Sequence, residues 1–466
     1  GISLLSAVGA GYWLGWIYFF SIYTGKLTLP CADDTLTVIS VCATVCAKVG
    51  SGAGTRILNF LAAKSITATL DTARPSASAP PLLYENGHIR SLDGLRGLAI
   101  LLVLVSHFLP EGLFERDLPR LGPVITRLSL AGVLGVQLFF VLSAFLITGI
   151  LLNTKGHPGY FRNFYARRLL RIFPLYYGSL AIVFWVLPKV FPLDNAADAL
   201  ICQQWWLWTY LTNLPGHPPW DDSSVFMLGH FWSLAVEEHF YLLWPFLIWL
   251  TGRRGLCAVA AGLCCCATAL RGIAIPMNSS LLWLAQWTTI TSVDGLAIGA
   301  LAAVAVRNRD WHARLIVIAR CGARFFGLLM LTVIVNPLHA PDDIMQLIQD
   351  SVAAWFFVCL LILALRTAPA AWFAKTLSGA TLVILGTYSY GLYVIHGILR
   401  PAFAHLFPAE TFVQFFGSSL VGLSCRLIAI ISCCLFLSLV SWQVIEKPFL
   451  SLKKYFTEQQ PERAGL

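Results

Sequence analysis

Apolar residues in this chain come in long blocks, with neither the strict alternation of half-buried strands nor the one-sided stripe of soluble helices. Ten stretches of about twenty residues carry few charges, at 97–115, 131–152, 172–192, 231–250, 254–275, 281–306, 315–337, 349–365, 381–400 and 416–442. A helix rises about 1.5 Å per residue, so stretches of this length suffice to cross the hydrocarbon core of a bilayer. The pattern predicts an all-α fold, a polytopic transmembrane helical bundle with about ten core spans. A further candidate span lies at 2–23, ahead of a Pro/Ser-rich stretch at 71–82 (DTARPSASAPPL) that reads as a linker. Three regions result: an N-terminal extension at 1–83, a transmembrane domain at 84–450 and a cytoplasmic tail at 451–466. The extension reads as an extra anchor, a processed segment or an over-extended reading frame.

Composition agrees with this class. Of 466 residues 58% are hydrophobic and 12% charged, about half the charged share of a soluble domain. The net charge of +9 is dispersed over loops, which points to the lipid bilayer as partner and away from nucleic acid. With residues 84–96 in the cytoplasm, the inner loops carry Lys155, Arg162, Arg167, Arg168, Arg171, Arg253, Arg254, Arg307, Arg309, Arg366, Lys375, Lys447, Lys453 and Lys454. The outer loops carry Asp194, Asp198, Asp221, Asp222, Asp342, Asp343 and Glu410; the mixed loop holding Arg116, Arg120 and Arg127 is the exception. The positive-inside rule therefore puts both ends of the core on the cytoplasmic side. Thirteen cysteines contain no CxxC, and ten histidines show neither HxxxH nor HExxH spacing, so no metal site is expected.

Polar residues inside apolar spans carry the candidate chemistry, because they are costly in hydrocarbon. In LDGLRGLAILLVLVSHF, Arg96 and His107 are eleven positions apart. Eleven residues make three helical turns plus about 20°, so the two side chains share one face about 16 Å apart. Asp93 stands just before them. FYARRLLRIFPLYY holds Arg167, Arg168 and Arg171, the last two one turn apart and suited to phosphate recognition as well as to simple anchoring. HFWSLAVEEHFYLLWP brings His230, Glu237, Glu238 and His239, and one glutamate could orient an imidazole. Asp294 is a lone acid in the sixth span, and SYGLYVIH contributes Ser389, Tyr390, Tyr393 and His396. Pro448 in Glu446-Lys447-Pro448 is expected to stop the tenth helix. Trp205, Trp206, Trp208 and Trp220 could stack on sugars or form an interfacial belt. By themselves these residues fit either an acid–base enzyme or a proton-coupled transporter or flippase of an envelope precursor.

The segments RSLDGLRGLAILLVLVSH, GVQLFFVLSAFLIT, FYARRLLRIFPLYY, FWSLAVEEHFYLLWP, VDGLAIGALAA, YSYGLYVIH and VIEKPF, in this order, resemble the acyltransferase 3 family of membrane-bound O-acyltransferases. The resemblance covers about residues 88–450. It implies acyl transfer from acyl-CoA, acetyl-CoA by default, to a carbohydrate hydroxyl of a surface polysaccharide or lipopolysaccharide, at the bacterial inner membrane. No permanently bound cofactor is implied. His107 falls on the family's catalytic histidine, with Arg96 and Glu237 as its catalytic companions. Arg168 and Arg171, with Arg167 beside them, fall on the donor-binding arginines; Asp93, Asp294, Tyr390 and Ser389 are expected at the substrate. Two departures stand out: His239 replaces the usual glutamine, and Ser292 replaces an arginine two residues before Asp294, which leaves that acid's partner open. Tyr390 or Tyr393 could serve as an oxyanion donor. Sequence separates neither direct attack, with His107 as base, from an acyl-imidazole intermediate.

Overall fold

The computed structural model describes residues 89–109, 117–190, 195–216, 220, 225–277, 288–335 and 342–456. The candidate helix at 2–23 and the linker at 71–82 lie outside these residues. Among the described residues there are helices and no strands. Within the described residues each of the ten predicted stretches holds a helix: α1 Arg90–Phe108, α2 Gly135–Thr154, α3 Tyr160–Ala181, α4 Trp232–Leu250, α5 Arg253–Met277, α6 Thr289–Ala305, α7 His312–Val335, α8 Asp342–Arg366, the broken pair α9 Ala380–Thr387 and α10 Ser389–Ile398, and α11 Ser419–Ser441. Seven are long and apolar enough to cross a membrane, and α9 with α10 makes an eighth. The remaining two are α6, which has 17 residues, and α4, which carries Glu237 and Glu238.

Several boundaries differ from expectation for local reasons. α1 starts seven residues before position 97 and ends at Phe108 rather than 115, because the residue preceding Pro110 disfavours the helical conformation. Arg96 is therefore inside the helix and not at its threshold. α3 starts at Tyr160 instead of 172 and runs through Pro174, so the three arginines belong to the span itself. The ninth stretch, expected to be continuous over 381–400, bends by 68° between α9 and α10. α9 docks along α1, while α10 keeps contact with α1 and turns to pack against α11 and α3 as well, and a straight helix cannot do both. The tenth helix does not stop at Pro448: a π turn at Trp442–Glu446 leads into Lys447–Ser451 and a 3-10 turn to Phe456. Pro448 occupies the first turn after the π turn, where its missing N–H costs no hydrogen bond.

α1 lies in the core, with Leu95, Ile100 and Leu104 fully buried. It approaches its neighbours through glycines. A Cβ on Gly94 or Gly97 would overlap the carbonyls of Leu377 and Leu382, and one on Gly386 would overlap that of Asp93. Such close backbone contact is how helices associate where hydrophobic driving force is weak. α6 is buried along nearly its whole length and meets α2 the same way, Gly299 lying on the Val141 carbonyl. α2 and α6 thus form a second wall behind α1, backed by α5 and α8.

Candidate functional site

Two polar clusters are linked by α1. At its far end, the His107 ring lies 5.1 Å from that of His396, centroid to centroid, and His396 lies 5.2 Å from His230. The three rings come from α1, from the turn before α4 (Gly229–Phe231) and from α10. Each is fixed by backbone. His107 Nδ1 lies 2.8 Å from the Val103 carbonyl, His396 Nδ1 lies 2.7 Å from that of Tyr393, and the His230 ring bonds the carbonyl of Val394. A carbonyl only accepts, so in the neutral ring Nδ1 of His107 and of His396 carries the proton and Nε2 keeps a lone pair. That leaves His107 Nε2 in the form needed for a base or nucleophile.

At the other end, Arg96, Arg168 and Arg171 converge. Arg96 donates to Asp93 at 3.1 Å, which accounts for Asp93 as an anchor of that guanidinium. Arg168 lies over the Tyr241 ring at 4.9 Å. Arg171 lies between the rings of Tyr390 and Trp442, at 5.9 and 5.7 Å, and pairs with the buried Glu446 at 3.8 Å. The π turn places Glu446 there; such bulges recur at functional positions. Lys453 is an electrostatic neighbour of Arg167, Arg168 and Arg171. Arg167 itself is exposed, as its 100° offset from Arg168 dictates.

Glu237 belongs to the arginine end. It accepts hydrogen bonds from Tyr241 at 2.8 Å and from Ser143, and its charged neighbours are Arg168 and Arg96. Since Arg96 is about 16 Å along α1 from His107, the expected partnership of Glu237 with the imidazole is replaced by one with the arginines. Tyr390 and Tyr393 are also committed: their hydroxyls donate to the carbonyls of Ile172 (2.7 Å) and His230 (2.9 Å). The expected oxyanion role is thereby corrected to one of holding α10 against α3 and the turn before α4. Ser389 is buried at the bend that starts α10.

Asp294 stands apart. Its carboxylate takes hydrogen bonds from Arg271 of α5, from Ser351 Oγ (2.7 Å) and from the Gly295 N–H (3.0 Å). Arg271 also binds Ser351 at 2.7 Å and Asp350 at 3.7 Å. The arginine that the sequence lacks at position 292 is thus supplied from the neighbouring helix. Gln137, beside Gly295 and Asp350, is six residues from Ser143 on α2, about 120° around the helix. The Asp294 knot and the arginine pocket therefore flank different sides of α2, and Asp294 is not brought to the expected substrate position.

The tryptophan loop is folded inward. Tyr176 stacks on Tyr210 at 4.2 Å and Tyr177 on Trp208 at 5.5 Å, while their hydroxyls donate to the carbonyls of Leu207 and Trp208. Trp220 is buried and Trp205 half-exposed, so these four residues do not present one sugar-stacking surface. Sequence reasoning names His230 and His396 as candidates without a role at the site, and does not connect Tyr241, Glu446 and Lys453 with the arginines. The signal for the histidines was present: both lie in quoted motifs, but nothing local in either motif points to the other.

A family profile described as an acyltransferase domain matches residues 89–442. A provisionally named O-acetyltransferase of Staphylococcus aureus (strain COL) is 26% identical over 337 residues, covering 66% of this chain and 50% of the relative. A provisionally named peptidoglycan O-acetyltransferase, YrhL of Bacillus subtilis (strain 168), is 27% identical over 328 residues, covering 66% and 48%. The peptidoglycan O-acetyltransferase OatA of Listeria monocytogenes (strain EGD-e) is 25% identical over 334 residues, covering 67% and 49%. The chain spans about half the length of the curated relatives it matches. No solved structure matches it significantly.

Proposed function

The chain belongs to the acyltransferase 3 family, enzymes that transfer acyl groups, and from that premise we propose that it moves an acyl group, acetyl by default, from acyl-CoA to a hydroxyl of a cell-surface or exported glycan. One observation carries the reading: a helix inside the bundle has an arginine cluster toward one end and, at the other, a histidine whose Nδ1 is held by a backbone carbonyl. The enzyme sits in the bacterial inner membrane as a multi-pass protein with both ends of the core in the cytoplasm. Arg168 and Arg171, with Lys453 beside them, receive the phosphates of acyl-CoA from that side. The thioester arm then runs along α1 past Arg96, a path of about 16 Å, to His107. There Nε2 takes the proton of the acceptor hydroxyl as its oxygen attacks the thioester carbon, or itself attacks that carbon first. In both routes the C–S bond breaks and the thiolate leaves as the thiol. Two relatives named as peptidoglycan O-acetyltransferases support peptidoglycan as the acceptor to test first.

The test is release of free CoA and label transfer from radiolabelled acetyl-CoA in native-envelope vesicles. His107→Ala is expected to stay in the membrane at wild-type amounts and to lose about 10³-fold in rate, within the range for a general base. Retained turnover would remove the core of the reading. The bend between α9 and α10 is also a device of transporters; movement of a glycan precursor across vesicles without CoA release would favour that alternative. The acetyl content of the surface glycan by NMR, in a deletion strain and its complemented form, identifies the acceptor.

A further inference from the structure

We propose that His230 and His396 are acceptor-binding residues, which hold a hydroxyl or amide N–H of the saccharide next to the hydroxyl that His107 deprotonates. The inference rests on the acyl transfer proposed above. Two observations carry it. The Nε2 atoms of His230 and His396 are buried without a hydrogen-bond partner, and the residues are themselves 9% and 0% exposed. Buried polar atoms are ordinarily paired, and leaving one unpaired costs about 1–3 kcal/mol. The second observation is Gly397. A Cβ at that position would overlap the His230 ring, so the histidine reaches its place beside His396 only because α10 has no side chain there.

The chemistry of the rings selects the occupant. With Nδ1 of each ring turned to a carbonyl, the free Nε2 atoms are acceptors, and they call for donors. The reacting thioester and a short acyl group offer none. A sugar offers several, spaced around one ring, and the centroid separation of 5.1 Å between His107 and His396 is one that a single saccharide can bridge. Among the described residues no group of three or more His, Cys, Asp or Glu side chains has the spacing for a metal ion, which directs these lone pairs to hydrogen bonding. In the transfer step the acceptor O–H proton passes to His107 Nε2, the new C–O bond forms, the C–S bond breaks and the thiolate takes up that proton. His396 and His230 exchange no proton; they decide which hydroxyl is in line, and in their absence water takes its place.

The readout is therefore the partition of label from radiolabelled acetyl-CoA between envelope glycan and free acetate in native-envelope vesicles. His396→Asn keeps an N–H for the backbone carbonyl and removes the Nε2 acceptor. It is expected to lower glycan transfer about tenfold more than it lowers hydrolysis, the size of one lost hydrogen bond to a buried partner. Gly397→Ala displaces the His230 ring without deleting any histidine and shifts the partition in the same direction by less. A partition ratio equal to wild type in both variants, whatever the loss in total rate, overturns the inference while leaving the acyl-CoA reading intact. Absence of CoA release from the wild type removes that reading, and this inference with it.

Discussion

The bundle buries arginine and carboxylate together in two places, and the two differ in how closely the carboxylate is bonded. In the knot of α5, α6 and α8, Arg271 and Asp294 are 3% and 0% exposed and share Ser351 as a common partner. Every visible contact is internal. In the pocket of α1, α3 and α4, Arg168 and Arg171 lie over aromatic faces, and Arg171 reaches its carboxylate at 3.8 Å. Arg96 is 37% exposed at its side chain. Cost in hydrocarbon is common to both, so an ionisable residue within a span does not by itself mark a site. The carboxylate's partners distinguish them: Asp294, bonded by three donors, holds helices in register, whereas the arginine cluster meets Glu446 at 3.8 Å and has capacity for a ligand.

Breaking the knot should have the larger effect. Asp294→Leu leaves Arg271 without its main counter-charge in the interior, at a cost of about 3–5 kcal/mol. The expected outcome is loss of folded protein from the membrane, read by detergent-extracted yield and thermal melting. The double variant Arg271→Met with Asp294→Leu should recover much of that yield, because an apolar pair can replace a buried ion pair. Recovery of neither folding nor activity would mean the knot does more than hold helices.

Arg171→Ala should act on the donor instead: folded yield near wild type and an apparent KM for acetyl-CoA raised about tenfold, as for one charge-assisted hydrogen bond. Arg171→Lys is expected to behave more like alanine than like arginine, because a lysine cannot keep both the planar contacts with Tyr390 and Trp442 and the pairing with Glu446. Unchanged donor dependence in both variants would return this arginine to simple anchoring. The smallest effect belongs to Arg167→Ala. Its side chain is exposed, and its share in the pocket is a screened, longer-range field; KM for acetyl-CoA should change by less than about twofold at physiological salt.

A related device secures the histidine end. Arg426 of α11 donates to the carbonyls of Phe108 and Phe407, so a buried guanidinium closes the C-terminal end of α1 one residue after His107. A cation there also suits the negative end of the helix dipole. Its position inside an apolar stretch was visible in the chain, but its partner, 318 positions earlier, was not.

What the chain determines alone is whatever depends on spacing within one helix. Long apolar blocks give the helices, because backbone groups in hydrocarbon must pair within their own segment. The eleven-residue interval sets Arg96 and His107 on one face, and the three-residue interval does so for Arg168 and Arg171. Loop charges suggest the orientation. Tertiary structure decides every pairing between helices: Arg271 as the partner of Asp294, Glu237 with the arginines instead of with His107, Lys453 beside the α3 cluster, and His230 meeting His396 across Gly397. It also bends the ninth stretch, since α9 lies along α1 and α10 turns from α1 toward α11 and α3. The physical reason is range. Helical periodicity repeats over a few residues and leaves a record in the sequence, whereas contacts between segments far apart in the chain are set by packing, and packing has no periodicity to read.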